Sequence, residues 1–298
     1  MTTLCLGEAL VDLICQRPVD DLADADAFVP AFGGAVANVA INAARHGARV
    51  ALGGGAGGDE WGSWLRERLE DEEVDLRWFE LVPGTPTPVA VVTVNGAGEP
   101  TYRIYGDGIA SVVHALGSRI ADAVEASSAL FFGSSTLVGK AERQVTMQAR
   151  KLALELERPV IFDPNLRLHR WPSRAEAAAS ANACVPGALL VRATIAEAEL
   201  MTGEHDPERA ASAMLKAGAR LVVLTLGARG AILRGELDAT APGTEIDIVS
   251  TIGAGDALTG VLLASLAATG YYPPAVAASL PEAVRAAELA CGRWSAID

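Results

Sequence analysis

Apolar and polar residues alternate along the first part of the chain in short segments. Runs with a period of two predict strands, and glycines or polar clusters separate them. The predicted strands are 3–15, with a break at Gly7 and Glu8, then 49–53, 89–94 and 101–105. A small-residue segment that ends before Gly47 and a second segment at 59–71 predict helices. The sequence Asn-Gly-Ala-Gly at 95–98 predicts a hairpin between the last two strands.

From residue 128 onward, predicted strands alternate with predicted helices. The strands are 128–133, 159–163, 189–191 and 221–225, and the main helices are 139–156, 257–268 and 281–294. We also interpret Ile246 and Ile248 as part of an apolar strand that leads into the helix at 257. Such alternation predicts one α/β domain over residues 1–298, with a mainly parallel central sheet and helices on both faces. Functional residues are then expected at the carboxyl ends of the strands.

Composition excludes several classes of function. The 298 residues are 50% hydrophobic, which is enough for a substantial core. A net charge of −13 argues against nucleic acid or an anionic membrane as a partner. The four cysteines are far apart and there are only four histidines, so neither a disulfide framework nor a zinc site is predicted. No stretch is apolar over the length that spans a bilayer, and we interpret the protein as soluble and cytoplasmic.

The segment at 250–260 carries the most specific chemistry. Gly253, Ala254 and Gly255 form a small-residue turn before a predicted helix, where backbone N–H groups and the helix dipole favour an anion. Asp256 follows directly, and a carboxylate there repels the anion unless it has a task. Accepting the proton of an alcohol that attacks a phosphoryl group is such a task. The alternative is that Asp256 caps the helix.

Two polar residues interrupt apolar segments near the N-terminus. Asp12 lies in an apolar alternation, where it costs free energy unless it meets a partner or a ligand. Asn38 follows Gly33 and Gly34 among Ala and Val, in a helix position that its propensity does not favour. A cleft that binds a ligand would explain both polar side chains. The alternatives are an exposed edge-strand position for Asp12 and a capping or packing role for Asn38.

A glycine-rich run supports a competing interpretation. Gly53, Gly55 and Gly58 satisfy the pattern Gly-x-Gly-x-x-Gly between a strand and a helix, and Glu80 ends the next apolar strand, as in dinucleotide-binding dehydrogenases. Six small residues in a row satisfy many patterns, however, so a lone fingerprint is weak.

Five motifs in order resemble the PfkB, or ribokinase-like, family of sugar and nucleoside kinases. They are Gly-Glu-x-x-x-Asp at 7–12, Gly-Gly and Asn at 33–38, Asp-Pro-Asn-Leu-Arg at 163–167, Thr-Leu-Gly-Ala-Arg-Gly at 225–230 and Thr-x-Gly-Ala-Gly-Asp at 251–256. The residues within these motifs are similar to those of fructokinases and 2-keto-3-deoxygluconate kinases. The resemblance implies a ribokinase-like α/β fold. It also implies a small β-lid, from about 11–32 and 87–106, that covers the sugar and can form a homodimer surface.

The resemblance also implies the activity and the site. A kinase of this kind transfers the γ-phosphoryl group of Mg-ATP to a primary hydroxyl of a small sugar, with fructose first and 2-keto-3-deoxygluconate, ribose or a nucleoside as alternatives. Asp256 would be the base, and residues 253–255 would form the anion hole. The implied sugar-binding residues are Asp12, Gly33, Gly34, Asn38, Arg103, Asn165 and Arg167. The implied ATP-binding residues are Thr194, Thr225, Gly227, Gly230 and Thr251, with Glu197 holding Mg²⁺ through water.

Two positions depart from the pattern of that family. Ser250 stands where most members have an Asp that helps to hold a monovalent cation, which argues against activation by K⁺. Thr194 stands where many have Asn. An alternative from another class of function is therefore a catalytically weak relative that binds a sugar or a nucleotide.

Overall fold

The computed structural model describes residues 1–106 and 108–297, and within them the apolar runs form two β-sheets. The strands are β1 (Thr2–Glu8), β2 (Leu10–Cys15), β3 (Phe28–Gly33), β4 (Arg49–Gly57), β5 (Phe79–Val82), β6 (Val89–Val94), β7 (Pro100–Tyr105), β8 (Ala129–Gly133), β9 (Val160–Asp163), β10 (Leu190–Thr194), β11 (Leu221–Thr225), β12 (Ala231–Gly235) and β13 (Ala239–Ala241). The helices are α1 (Ala35–Arg45), α2 (Glu60–Asp71), α3 (Gly108–Ala115), α4 (Ile120–Glu125), α5 (Lys140–Glu155), α6 (Arg174–Asn182), α7 (Ile195–Thr202), α8 (Pro207–Lys216), α9 (Ala254–Ala268) and α10 (Pro274–Cys291).

The larger sheet is mainly parallel, as the alternation of strands and helices predicts. Its strand order is β13-β12-β11-β10-β9-β8-β1-β4-β5. The strands from β11 through β5 pair in parallel, and β12 and β13 extend one edge in antiparallel fashion. All the parallel strands therefore present their carboxyl ends at the same edge of the sheet, and side chains that follow different strands can meet there.

Side chains of the central strands alternate between two cores. Cys5, Phe131 and Ile161 are buried on one face with residues of α1, α9 and α10. Leu130 and Phe132 are buried on the other face with residues of α5, α6 and α8. Because both faces are covered, these strands have nearly continuous apolar sequences.

The smaller sheet has the strand order β3-β2-β6-β7. Strand β2 pairs with β3 in antiparallel fashion and with β6 in parallel, and β6 and β7 form the hairpin predicted around residues 95–98. The hairpin tip reaches the segment that precedes α9, where the backbone N–H of Thr251 donates to the carbonyl oxygen of Gly98 at 2.8 Å. Whether this sheet acts as a lid or as a dimer surface stays a prediction.

The segment before α9 is not a strand. Residues 242–252 are irregular, and Ile246 and Ile248 are 37% and 48% exposed. The backbone N–H groups of Val249 and Ser250 donate to the carbonyl oxygen of Cys291, at the end of α10, and so do not join a strand ladder. The helices around this segment also start before the predicted positions, since α9 begins at Ala254 and α10 at Pro274.

The glycine-rich run does not form a dinucleotide-binding turn, and the dehydrogenase interpretation is wrong. Strand β4 continues through Gly57, and a Cβ at Gly54 or Gly55 would lie 1.9 or 2.0 Å from a carbonyl oxygen of a neighbouring strand. These glycines therefore permit close strand packing. The carboxylate of Asp59 caps α2 by accepting the N–H of Gly62 at 2.9 Å, and it would repel a pyrophosphate at that helix terminus.

Two further observations concern the chain as a whole. Its cysteines are free thiols, in line with the absence of a predicted disulfide framework. In the part of the chain that the structure describes, no helix combines the length and the apolarity needed to cross a membrane.

Candidate active site

One cavity lies between the carboxyl ends of the central strands and the smaller sheet. It is lined by Glu8, Leu10, Asp12, Gly34, Ala35, Val36, Asn38, Ala90, Tyr102, Ile104, Gly133, Ser134, Ser135, Val138, Asn165, Arg167, Arg170, Trp171 and Asp256. Residues from four of the five sequence motifs therefore meet in one place. The exception is the motif at 225–230, which lies beside the cavity.

Asp256 lies in the first turn of α9 and is only 7% exposed. The helix begins after Gly253, which has φ of +74°, a left-handed conformation that favours glycine. The Nδ2 group of Asn38 donates to Oδ2 of Asp256 at 2.9 Å, and Nδ2 of Asn165 donates to Oδ1 at 3.3 Å. Both carboxylate oxygens thus bind side chains of other segments, so the carboxylate is held facing the cavity.

The environment of Asp256 favours its action as a base. Burial raises the pKa of the carboxyl group, and the hydrogen bond from Asn38 and the positive charges of Arg167 and Arg192 partly offset this rise. A carboxylate with a raised pKa accepts a proton more readily than an exposed one. The geometry therefore suits removal of a proton from a group bound in the cavity.

Asp12 and Asn38 provide polar atoms for hydroxyl groups. The Oδ1 atom of Asn38 is buried and has no hydrogen-bond partner, an arrangement that costs free energy until a donor arrives. Asp12, on β2, is 4% exposed, and burial raises its pKa to about 8. A Cβ at Gly33 would lie 2.5 Å from the carboxyl carbon of Asp12, so glycine at 33 makes room for that side chain. A polyol would satisfy these groups.

Arginine and tyrosine side chains form another wall of the cavity. The guanidinium of Arg167 lies 4.4 Å from the ring centroid of Tyr102, in a cation–π arrangement. Arg103 does not line the cavity, contrary to expectation. It is exposed on β7, whereas Tyr102 and Ile104 on the same strand face the cavity. Because successive side chains of a strand point to opposite faces, only one of these two sets can face the cavity.

A third buried acid in the cavity was missed by the sequence reasoning. Glu8, at the end of β1, is 2% exposed, and burial raises its pKa. Ser135 donates to its Oε2 atom at 2.7 Å, and Arg170 donates to the carbonyl oxygen of Ser135 at 3.0 Å. The available signal was an acid at the end of an apolar strand, but the sequence reasoning gave Glu8 no role in the site beyond its place in the motif at 7–12.

The residues expected to contact the nucleotide cluster beside this cavity. Thr194 and Thr225 end the neighbouring strands β10 and β11 and are paired in register. Gly227 and Gly230 flank the turn after β11, with φ of +61° and +84°. Thr251 contacts the hairpin tip described above. Contact of these positions with a nucleotide stays a prediction.

Thr194 and Glu197 hold the start of α7. The Thr194 side chain accepts the N–H of Glu197 at 3.2 Å, and Oε2 of Glu197 accepts the N–H of Thr194 at 2.9 Å. Oε1 of Glu197 accepts the N–H of Leu166 at 2.7 Å, which ties α7 to the loop after β9. Among the residues at 1–106 and 108–297, no group of three or more His, Cys, Asp or Glu side chains could hold a metal ion.

Arg192 was also missed, although it lies within β10, where an apolar strand pattern makes an arginine costly unless it has partners. It is 5% exposed and forms an ion pair with Asp163. The strand predicted at 189–191 stopped one residue short of it.

A buried carboxylate at a glycine-rich helix start, in a cavity with further polar side chains, suits phosphoryl transfer to an alcohol. Comparison with known proteins gives the same class. The profile of the pfkB family carbohydrate kinases matches residues 2–296. The chain belongs to this family and is a phosphotransferase with an alcohol group as acceptor.

Individual relatives agree with this assignment. Probable fructokinase-4 of Arabidopsis thaliana is 32% identical over 267 residues, and fructokinase-2 of Solanum habrochaites is 30% identical over 262 residues. Each match covers 87% of this chain and 80% of the relative.

Solved structures confirm the ribokinase-like fold. A fructokinase double mutant from Vibrio cholerae, with fructose, ADP and potassium ion bound, superposes with a TM-score of 0.84 at 27% identity, over 99% of this chain and 94% of that one. Aminoimidazole riboside kinase from Salmonella enterica shares the fold with a TM-score of 0.83 at 23% identity, over 100% of this chain and 96% of that one.

Proposed function

We propose that this sugar kinase transfers the γ-phosphoryl group of ATP to a primary hydroxyl of fructose. The observation that carries the proposal is the Asp256 carboxylate, which Asn38 and Asn165 hold at the start of α9, facing the cavity that Asp12 also lines. The names of the relatives support fructose, since both plant proteins are fructokinases and the Vibrio cholerae structure contains fructose.

In the proposed mechanism, Asp12, Gly34 and Asn38 bind hydroxyl groups of the sugar. Asp256 accepts the proton of the primary hydroxyl, and that oxygen attacks the γ-phosphorus. The bond between the γ-phosphorus and the β,γ-bridging oxygen breaks, and ADP leaves. Backbone N–H groups of residues 253–255 stabilise the charge on the phosphoryl oxygens.

The nucleotide is proposed to lie along the carboxyl ends of β10 and β11, against the Thr and Gly residues described there and against Thr251. Mg²⁺, bound to the phosphates of ATP, would neutralise part of their charge. Glu197 fits an indirect role in holding it. Its carboxylate accepts the backbone N–H groups of Leu166 and Thr194 and the hydroxyl of Thr194, and the Oε1 atom keeps a lone pair for a water molecule.

A monovalent cation is not part of this proposal. Ser250 is fully buried, and its Oγ accepts the N–H of Ile252 at 3.1 Å. The carbonyl oxygen of Cys291 accepts the N–H groups of Val249 and Ser250 at 2.9 and 3.2 Å. Hydrogen bonds within the chain thus hold the segment before the anion hole, and we expect activity that does not depend on K⁺.

An acidic sugar such as 2-keto-3-deoxygluconate is the second candidate substrate. The observation in its favour is that Arg167 and Arg170 both line the cavity and could bind a carboxylate. Glu8 and Asp12 on the same cavity oppose it, because they offer no positive charge to a carboxylate and would repel it once ionised. We therefore place fructose first.

The test is ADP release from Mg-ATP with fructose, ribose, 2-keto-3-deoxygluconate and nucleosides, each with and without K⁺. The proposal expects the highest kcat/KM on fructose and no requirement for K⁺. A higher kcat/KM on the acidic sugar would favour the second candidate. Binding of ATP and sugar in a thermal-shift assay without turnover on any acceptor would favour a catalytically weak relative.

A further inference from the structure

A buried guanidinium group lies directly beneath the anion-hole turn. A Cβ built on Gly255 would lie 2.7 Å from Nη1 and 2.9 Å from Nη2 of Arg192. Gly255 lies inside α9 without a positive φ, so its backbone does not require glycine there. The guanidinium of Arg192 therefore explains the glycine, because it occupies the place of a side chain at 255.

The protein partners of this guanidinium do not use its full hydrogen-bonding capacity. Nη1 lies 3.3 and 3.5 Å from the two carboxylate oxygens of Asp163, which are long distances for an ion pair, and Nη2 donates to Oγ1 of Thr225 at 3.1 Å. The Nε atom is buried and has no hydrogen-bond partner. A side chain with five N–H donors thus keeps donor capacity in a site closed to bulk water.

The helix terminus beside Arg192 opposes its positive charge, whereas the carboxylates of Asp163 and Asp256 favour it. The N-terminus of α9 carries the positive end of the helix dipole, and a cation beside it is repelled. Asp163 compensates this only in part, because its Oδ2 atom also accepts the hydroxyl of Thr259, a residue of α9, at 2.8 Å. An anion at the turn would interact favourably with both the helix terminus and the guanidinium.

We propose that Arg192 is a further catalytic residue of the phosphotransferase, and that its guanidinium contacts the phosphoryl group in transit. Asp163 and Thr225 hold the guanidinium in place from β9 and β11. During transfer, Asp256 takes the hydroxyl proton, the new bond forms between the sugar oxygen and the γ-phosphorus, and the bond to the β,γ-bridging oxygen breaks. Arg192 keeps its proton and stabilises the negative charge of the phosphoryl oxygens.

The matched control is a second arginine with an unpaired Nε. Arg150, on α5, also has a buried Nε without a partner, and it donates to the carbonyl oxygen of Pro186. Unlike Arg192, it is not among the side chains that contact the turn at Gly255. An unpaired Nε alone therefore does not mark a catalytic residue, and Arg150→Met measures the cost of losing such a side chain away from the site.

The test compares Arg192→Met, Arg192→Lys and Arg150→Met in two measurements. The first is the affinity for ADP with and without aluminium fluoride, a mimic of the transferred phosphoryl group, in the presence of Mg²⁺. The second is kcat on the accepted sugar. We expect the gain in affinity from fluoride to fall in the order wild type, Lys, Met. We also expect kcat to fall by about 10²–10³-fold in Arg192→Met, as for loss of one preorganised donor. We expect Arg150→Met to change neither the gain in affinity from fluoride nor kcat by much. The affinity for ADP without fluoride should change little in all three variants.

A purely structural role for Arg192 predicts a different result. Melting temperature would fall, but the folded variants would keep the gain in affinity from fluoride and the wild-type kcat, and this would overturn the proposal. If Arg192→Met does not fold, Arg192→Lys decides the question. A gain in ADP affinity from fluoride and a kcat that both equal those of the wild type in Arg192→Lys would refute a guanidinium contact. The fluoride measurement needs no turnover, so it is independent of whether fructose is the substrate.

Discussion

The substitution Asp256→Asn separates the chemistry of this carboxylate from its structural contacts. An asparagine has nearly the same shape, but one oxygen is replaced by an NH₂ group. The remaining oxygen can still accept a hydrogen bond from Nδ2 of Asn38, which lies 2.9 Å from Oδ2 of Asp256. The new NH₂ group would instead face Nδ2 of Asn165, another donor, which lies 3.3 Å from Oδ1 of Asp256. One hydrogen bond is thus lost, while the base is removed completely.

The magnitudes of these two effects differ strongly. Loss of one hydrogen bond costs about 1 kcal/mol of stability. A neutral amide in turn avoids the cost of burying a negative charge, the same cost that raises the pKa of Asp256. We therefore expect a change in melting temperature of about 4 °C or less. Loss of a general base lowers kcat by about 10²–10⁴-fold, which corresponds to roughly 3–5 kcal/mol in the activation barrier.

The assay is ADP release under saturating Mg-ATP and sugar, with thermal shifts to verify that both ligands still bind. Asp206→Asn is the matched control. The carboxylate of Asp206 likewise lies at the start of a helix, α8, where it accepts the N–H of Arg209, but it does not line the cavity. A kcat of Asp256→Asn within about threefold of wild type would refute the assignment of Asp256 as the base. A large loss of stability with unchanged kcat in the folded fraction would show a structural role instead.

Two other predictions concern the walls of the site. Burial raises the pKa of Asp12 to about 8, above its value in the unfolded chain, so its contribution to stability is present at low pH and is lost as the pH rises through about 8. We expect Asp12→Asn to gain melting temperature over wild type as the pH rises from 5 to 8, and a pH-independent difference would contradict this. At the hairpin tip, Gly98 has φ of +78° and a Cβ there would lie 2.5 Å from Cγ2 of Ile248. Gly98→Ala should therefore cost about 1–3 kcal/mol of stability and weaken ADP binding through Thr251. Gly96→Ala is the control, because a Cβ there meets no atom within 4 Å, and it should leave the melting curve and ADP affinity unchanged. Equal effects of the two variants would refute a role for the contact between Gly98 and the segment before α9.

Local sequence was sufficient for most of the elements. The hairpin around 95–98 forms as predicted because Asn and Gly supply the turn and the flanking residues alternate. The strands from 128 onward follow their apolar runs, since burial on both faces requires such runs. The apolar pattern at Ile246 and Ile248 did not produce a strand, and the backbone that follows bonds to Cys291 instead.

The motifs also located several site residues along the chain. Asp12, Asn38 and Asp256 stand out because a polar side chain in an apolar segment is costly without a partner or a ligand. The same reasoning applies to Arg192 within β10, so that signal was available although it was not used. The outward position of Arg103 could likewise have been predicted, because its side chain points to the face of β7 opposite to that of Tyr102 and Ile104.

Only the tertiary structure decided which of these groups meet. Asn38 and Asp256 are 218 residues apart and share a hydrogen bond because α1 and α9 pack on the same face of the sheet. Arg192 lies beneath Gly255 because β10 is a central strand next to β9 and β11, an order that no local pattern specifies. Sequence periodicity reports which face of an element is buried, but the distance between two elements depends on strand order and helix packing, which arise only when the whole chain folds.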